Sequence, residues 1–450
     1  MAKGGVDINK AQGAGQPRTG KDHYQGWLMY LAPAEYPAGI IRSWAVGLTA
    51  VIGDYFESPI DWKVYKCTPA GGTTSGANAA ADPLLAEVTD VQELAEARTG
   101  YVTTGTMKTL GITEGSNAQK VWFQANAFFE KFPNGFFWLR PADLNLGTTT
   151  FDEMDDIRIA SDGDVRGIGV YNNGNDADFA LGQLTALQVK YDEFDTTEKT
   201  PMHIAYFPTG YTEAWTAFID LKDSGNNFGV AVYNVYDYLR ADIDYPAMGA
   251  LLGFWAGSKI SESVGWVEKY NFVSAPVGTN THAENDSIGI FDTNGIVSYA
   301  TIKGAGVDGL DDKGWNILVK YADTSGSYLN DMYTVSADGN DFEKVYYVRT
   351  LDKASRALRA AYVPKINAEI VFNPDGTLTD VDHHTFTLLG RQALETMEIA
   401  RELTLPTNAI VIDKTQNVAA TDTLEVSANV ILNGVAKTIT VSLSRIKAAG

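Results

Sequence analysis

Between residues 118 and 208 the apolar pattern switches repeatedly between helical spacing and short buried runs, and this alternation constrains the fold most. Residues 118–132 place Val121, Trp122, Ala125, Phe128, Phe129 and Phe132 on one helical face. Asn134-Gly135 closes that segment, and Phe136-Phe-Trp-Leu139 reads as a buried strand. Residues 151–160 are amphipathic and precede a strand at 167–171; 177–194 predicts a helix and 202–207 another strand. Parallel strands need long crossovers, usually helical, so this order predicts an α/β architecture. Upstream, Trp27, Leu28, Tyr30 and Leu31 predict one more buried strand. Residues 271–314 differ: Gly, Asn, Asp and Thr clusters separate short β-branched runs, as in a β-rich or loop-rich insertion.

Composition bounds the rest. The chain has 450 residues, 45% of them hydrophobic and 20% charged, enough apolar material for more than one core. Cys67 is alone, which excludes an intramolecular disulfide framework and a cysteine-based zinc site, and a reducing cytoplasm is the expected place of assembly. Thirty-five Lys and Arg against 56 Asp and Glu give a net charge of −21, which argues against nucleic acid as a partner. No apolar leader opens the chain, and its longest apolar stretch, 246–257, is too short to span a bilayer, so no direct membrane insertion is expected. The acidity is uneven. Residues 143–244 hold 19 acidic and 6 basic side chains, whereas 346–450 hold 11 of each. A neutral segment is easier to bury against a neighbour than one with a large field.

The two ends of the chain are the unusual parts. Residues 1–20 are rich in Gly and Gln, with only Val6 and Ile8 alternating as in a strand, and read as an arm rather than a domain element. Near the other end, 352–364 predicts a helix with Ala354, Leu358 and Ala361 inward and Lys353, Arg356 and Arg359 outward. A second helix is expected over about 383–403, with Phe386, Leu389, Ala393, Met397 and Ala400 on its inner face and Asp380 or Asp382 as its cap. Residues 409–412 read as a short strand. From Leu424 to Leu432 apolar and polar residues alternate; Asn433-Gly434 then signals a hairpin, and Ile439, Val441 and Leu443 continue the alternation. An isolated two-stranded hairpin is marginal in water and its edges invite pairing, so it docks in its own sheet or accepts a strand from another chain.

No catalytic constellation emerges. Gly304-Ala-Gly306-Val-Asp-Gly309 matches G-x-G-x-x-G, but Leu310-Asp-Asp-Lys-Gly314 does not read as a clean helix able to hold a pyrophosphate. His383-His384 lacks metal-ligand spacing. Acidic groups at Glu153/Asp155/Asp156 and Asp192/Glu193/Asp195 read as solvated helix faces. Asn373-Pro-Asp375-Gly376 reads as a β-turn rather than a calcium loop. The expectation is a non-enzyme with no cofactor and no metal; an α/β enzyme with an unrecognised site is a remote alternative.

Several segments together resemble a known family. They are Val6-Asp-Ile-Asn-Lys10, Gly253-Phe-Trp-Ala-Gly-Ser-Lys-Ile-Ser-Glu-Ser-Val-Gly-Trp-Val-Glu-Lys-Tyr-Asn271, Gly314-Trp-Asn-Ile-Leu-Val-Lys-Tyr321, Gly326-Ser-Tyr-Leu-Asn-Asp331 and Tyr347-Val-Arg-Thr-Leu-Asp-Lys-Ala-Ser-Arg356, with the terminal alternation after them. The chain is similar in these to contractile tail sheath proteins of tailed phages and phage-like injection particles. The resemblance implies an α/β (α+β) multidomain fold whose core is built from both chain ends. Its parts would be an arm at 1–20, core at 21–60 and 315–450, a variable insertion at 61–117, a middle α/β domain at 118–270 and the insertion at 271–314. It implies a structural subunit, assembled in a host cytoplasm, that polymerises as stacked hexameric rings around an inner tail tube protein and contracts, with baseplate and tail terminator or cap proteins as further partners. The assembly would be a virion tail or, alternatively, a non-viral injection system or bacteriocin-like particle. Strand addition between subunits would fall on Val6, Ile8, Val426, Val430, Ile439, Val441 and Leu443. Tube contact would fall on the polar face at Arg391, Glu395, Glu398 and Arg401.

Overall fold

The computed structural model describes residues 22–435 apart from 44, 47, 59–62, 69–70, 77, 144–149, 173–180, 238–245, 273–287, 322–323 and 325. Strand β1 (Gln25–Leu31) is buried along its whole length. The chain then builds a small lobe from β2 (Arg42–Ser43), β3 (Thr49–Ala50), β4 (Tyr55–Glu57), β5 (Val64–Cys67), β6 (Gly72–Thr73) and β7 (Leu85–Glu87). Ala50, Phe56, Tyr65, Cys67 and Ala79 form its core. Helix α1 (Val91–Arg98) follows, capped by the Asp90 side chain, which accepts a hydrogen bond from the Glu93 N–H.

The alternation read in the sequence becomes β8 (Gly100–Val102), α2 (Gln119–Lys131), β9 (Phe137–Asp143), α3 (Glu153–Ala160), β10 (Gly167–Asn172), α4 (Leu181–Asp192), β11 (His203–Pro208) and β12 (Val230–Val232). These strands and β1 form one six-stranded sheet in the order β12-β11-β10-β1-β9-β8, parallel except for β8 at the edge. Its central strand is the one farthest upstream: Trp27 pairs in register with Leu139 on one side and Gly169 on the other. A strand in that place is covered on both faces, which explains the unbroken apolar run Trp27-Leu-Met-Tyr-Leu31. Strand β1 thus belongs to the sheet built from residues 100–232.

Helices cover both faces. On one, Gly26 meets Ile157 of α3, and α3 is tied to α4 through Lys190 and Asp155. On the other, Trp27 stacks on Phe137 at 3.6 Å between ring centroids and meets Phe128 of α2 edge-on. There Gly169 faces Leu252 of α5 (Met248–Gly257). Helix α5 is apolar all round because it is buried all round. Its first turn is satisfied from α2: Gln124 Oε1 accepts from the Gly249 N–H at 2.7 Å while its Nε2 donates to Pro246 O. Gly249 and Gly253 lie against the α2 backbone at Gln124 and Phe128, closer than a side chain allows.

Residues 288–312 form β14 (Ile288–Asp292), β15 (Gly295–Ser298), α6 (Tyr299–Ile302) and α7 (Ala305–Asp312), with β13 (Tyr236–Asp237) on the edge of β14. The G-x-G-x-x-G segment does open a helix, contrary to the sequence reading. Gly304 takes the left-handed backbone (φ +79°) between α6 and α7, and Ile302 and Leu310 anchor both helices in the main core. The preceding element is α6 rather than a strand, so the strand–turn–helix context of a dinucleotide site is not met. After β16 (Leu318–Val319) and β17 (Tyr328–Leu329) come α8 (Val345–Tyr362), α9 (Asp380–Ile399), β18 (Leu403–Thr404), β19 (Ile410–Val411), α10 (Val418–Thr421), β20 (Ser427–Ala428) and β21 (Ile431–Leu432). A second core, centred on Phe386, Leu394, Met397 and Ile410, fills this C-terminal lobe. No helix among the described residues is long and apolar enough to cross a membrane.

The α2–α5 contact gives the first prediction. Gly249→Ala places a methyl group on the Gln124 backbone, which cannot retreat without moving α2. The expected cost is about 2 kcal/mol of stability, read as a lowered urea midpoint at unchanged slope; a midpoint equal to wild type would show that the helices separate freely.

Candidate functional site

The C-terminal lobe is where an assembly surface was expected, and its parts follow from local chemistry. Helix α9 is capped by Thr379, not by Asp380 or Asp382: Thr379 Oγ1 accepts from the Asp382 N–H and donates to Asp382 Oδ2 at 2.9 Å. The two aspartates occupy the first turn instead, where the helix dipole favours negative charge. Asp382 Oδ2 also accepts from the Val371 N–H, fastening the preceding loop. That loop contains the expected β-turn, closed by Gly376 N–H to Asn373 O at 2.9 Å. The buried residues of α9 are Phe386, Gly390, Leu394 and Met397, so the inner face is rotated from the one read in the sequence and Ala400 lies outside. Gly390 makes room for Tyr362, whose hydroxyl donates to Phe386 O.

Within the alternating stretch 424–432 only Ser427–Ala428 and Ile431–Leu432 form strand, and their described partners lie upstream. β20 pairs with β19 and β21 with β18, both antiparallel. The register slips by three residues between the two pairs, because Pro406-Thr-Asn408 bulges from the upstream strand and Asn429 bridges the gap with its N–H on Ala409 O and its Nδ2 on Asn408 O. Asn433-Gly434 does not adopt the positive-φ hairpin turn; Asn433 instead donates from Nδ2 to Arg401 O at 2.7 Å. Helix α9 covers one face of this ladder. Among the described residues each pair is only two strands wide, and Ile431 (54%) and Val435 (47%) are exposed on it.

The residues named for strand addition divide accordingly. Val426 and Val430 are half-buried against the second core. Val6, Ile8, Ile439, Val441 and Leu443 lie outside the described residues. Of the residues named for tube contact, Arg391 and Glu395 are exposed on α9, and Arg391 reaches Pro406 O. Glu398 is half-buried and accepts from the Leu405 N–H. Arg401 lies beyond the helix in left-handed backbone (φ 57°), with Lys259, Trp266, Asp331, Asn433 and Val435 around the same cleft.

Sequence reasoning missed a seam of charge between the two lobes. Arg356 and Arg359, expected outward, are buried, as are Arg349 and Asp352 on the same face of α8. Arg349 donates to Trp255 O; Arg359 holds Asp195 at 3.1 Å and donates to Lys199 O. Lys353 bridges Asp22 and Glu402, and Arg356 also faces Asp22. Tyr191 donates to Asp352 Oδ1 at 2.8 Å. Burial outweighs the attraction of Arg356 and pushes the Asp352 carboxyl up to about 7. Burial also lowers Arg356 and brings Arg166, repelled by Arg356, down to about 9. The acidic clusters read as solvated faces are partly structural too. Asp152, Asp155 and Glu193 converge on buried Lys190, while Asp156 pairs with buried Arg140.

These groups hold elements together; none surrounds an open cavity with a nucleophile. His203 is sealed in the core against Trp255, and burial drives its imidazole down to about 3, so it stays neutral. Among the described residues no group of three His, Cys, Asp or Glu could hold a metal ion.

With the geometry established, the chain can be set beside known proteins. Residues 341–449, which contain this lobe, match the family model described as DUF2586, C-terminal domain. No curated protein matches the chain by sequence. A chain in a structure of the anti-feeding prophage baseplate superposes with a TM-score of 0.50 at 13% identity, over 78% of this chain and 88% of that one, and shares its fold. Two others align with lower scores. They are a sheath complex of an extracellular contractile injection system in the contracted state (0.43, 13% identity, 72% and 80% covered) and a sheath tail protein from Listeria innocua (0.39, 11%, 62% and 56%).

The seam predicts a pH dependence. A carboxyl held near 7 in the fold and near 4 in the unfolded chain adds stability that is complete below about pH 4 and lost as pH rises through about 7. Asp352→Asn keeps an acceptor for Tyr191 and removes that titration. Urea midpoints at constant ionic strength are expected to fall less between pH 5 and 8 in this variant than in wild type; parallel declines would place the dependence elsewhere.

Proposed function

We propose that the chain is a structural subunit of a contractile tail sheath, polymerising as stacked rings around an inner tube and shortening to drive that tube through a target envelope. The observation that carries this reading is the C-terminal ladder. Residues 403–411 and 427–432 pair into ladders two strands wide, and the alternating residues 436–443 follow them in sequence. A ladder that narrow is a template for strand addition: main-chain hydrogen bonds supply affinity, and alternate side chains fix register. Val6 and Ile8 of one subunit, and Ile439, Val441 and Leu443 of another, are the segments proposed to complete it over Val426 and Val430. The shared fold with a baseplate chain of the anti-feeding prophage supports the same reading.

Contraction then proceeds by rigid-body rotation of subunits while the strand connections persist. Arg391 and Glu395, exposed on α9, are the proposed contacts to the tube. A baseplate and a terminator protein would bound the polymer at its ends. The same shared fold favours, as a second reading, a sheath-type subunit of a non-viral injection particle rather than of a virion.

Deleting residues 1–20 tests the arm. The shortened chain is expected to stay folded and soluble, with unchanged circular dichroism, and to form no striated tubes under negative stain where the full chain does. Normal long tubes from the deletion would sink strand addition through Val6 and Ile8; discrete particles from the full chain would count against a sheath altogether.

A further inference from the structure

Lys353 stands halfway along α8 and holds two carboxylates that come from near the two ends of the chain. Its Nζ lies 2.7 Å from Asp22 Oδ2 and 2.8 Å from Glu402 Oε1. The Lys353, Asp22 and Glu402 side chains are only 15%, 23% and 9% exposed, so these pairs escape most of the screening that makes surface ion pairs weak. Arg356, almost one turn further along α8, backs Asp22 at 3.5 Å. The second carboxylate oxygen of Glu402 has no hydrogen-bond partner among the described residues, so Lys353 is the group that offsets this buried charge.

The two ends of this bridge sit at telling places in the sequence. Asp22 is where residues 1–21 join the described fold, just before β1. Glu402 directly precedes Leu403, the first residue of β18, which pairs with β21. One ammonium group therefore spans the root of the N-terminal segment and the first strand of the C-terminal ladder. It is carried on α8, the element that both cores share. Under the sheath reading, on which this inference rests, each subunit gives its N-terminal segment to one neighbour and offers its ladder to another. The distance between the giving and the receiving point within a subunit then sets the spacing of the connected polymer. We infer that Lys353 is the positioning residue that fixes this distance, by tying the chain at Asp22 to the ladder at Glu402. It touches neither exchanged strand; it sets where each begins. Three donors on one point charge can serve two carboxylates at once. Arginine offers five donors and keeps the link, whereas methionine fills similar space and loses both bonds.

Two measurements test this. In the unassembled full chain, nitroxide labels at Lys21→Cys and at Thr407→Cys, an exposed position between β18 and β19, report the distance by pulsed electron resonance, with Cys67 buried away from the label. A narrow distance distribution is expected when Lys353 is present. Lys353→Met is expected to lose the narrow peak and Lys353→Arg to keep it. Asp22→Asn and Glu402→Gln each cut one end and are expected to lose it too; they carry the same test should Lys353→Met fail to fold. A narrow peak that survives Lys353→Met, or that survives both single-end variants, overturns the bridge. In the second measurement, tubes of Lys353→Met are expected to lose regular striation under negative stain, and striation equal to wild type overturns the role in spacing. The label distance is read before any tube forms. Discrete particles from the full chain would therefore count against the sheath with the bridge intact, and a failed bridge would leave tube formation untouched.

Discussion

The structure depends on helix α8 belonging to two cores at once. Its first turns place Val345, Tyr346 and Val348 in the core under the six-stranded sheet; its last turns place Ala354, Ala357 and Tyr362 in the C-terminal core. The eighteen residues span roughly 27 Å without a glycine or proline, and Pro364 comes only after the helix has ended. A helix with no internal break has nowhere to absorb a bend. The two lobes are therefore fixed to each other through a strut rather than a linker. The charged side of that strut closes the remaining gap. Arg349, Arg356 and Arg359 reach Trp255, Asp22 and Asp195, groups supplied by the main body.

That arrangement also marks where the sequence was readable. The alternation over 118–208 told helix from strand because the helices carry apolar residues at helical spacing while the strands are short runs buried on both faces. Along α8 the same periodicity put Arg356 and Arg359 outside, since burying a guanidinium is costly unless a partner is present. Their partners lie far away in sequence, and spacing within one helix carries no trace of Asp22 or Asp195. On α9 the inner face was misread because Gly390, an unremarkable residue in a pattern, is the position that admits Tyr362. In the ladder, alternation pointed to strand over 424–432, where 427–428 and 431–432 form it, yet could not choose the partner. The upstream residues 403–411 take that place, helped by the Pro406 bulge that lets the register slip.

The neutrality of residues 346–450 has a more specific origin than the count suggested. Three of its eleven basic residues lie in 436–450, leaving eight basic against eleven acidic in 346–435. Three of those eight, Arg349, Arg356 and Arg359, are turned inward against the main body. The solvent-facing part of the lobe is thus acidic, like the rest of the chain, and the balance is restored by its last fifteen residues. The two sets of charges are distinct: one is buried and holds the lobes, and the other is the three basic residues that the sequence places in 436–450.

The difference bears on the proposed role, in which a subunit would be rigid inside and adhesive outside. Buried pairs such as Arg359 with Asp195 are costly to break, because parting them leaves an uncompensated charge in a low-dielectric place, and they keep one geometry through any motion of the whole subunit. A basic strand on an acidic surface is screened by salt and can leave one partner for another at small cost. In the proposed assembly, strong electrostatics within the subunit and weak electrostatics between segments would let contacts be exchanged without unfolding the lobes that make them.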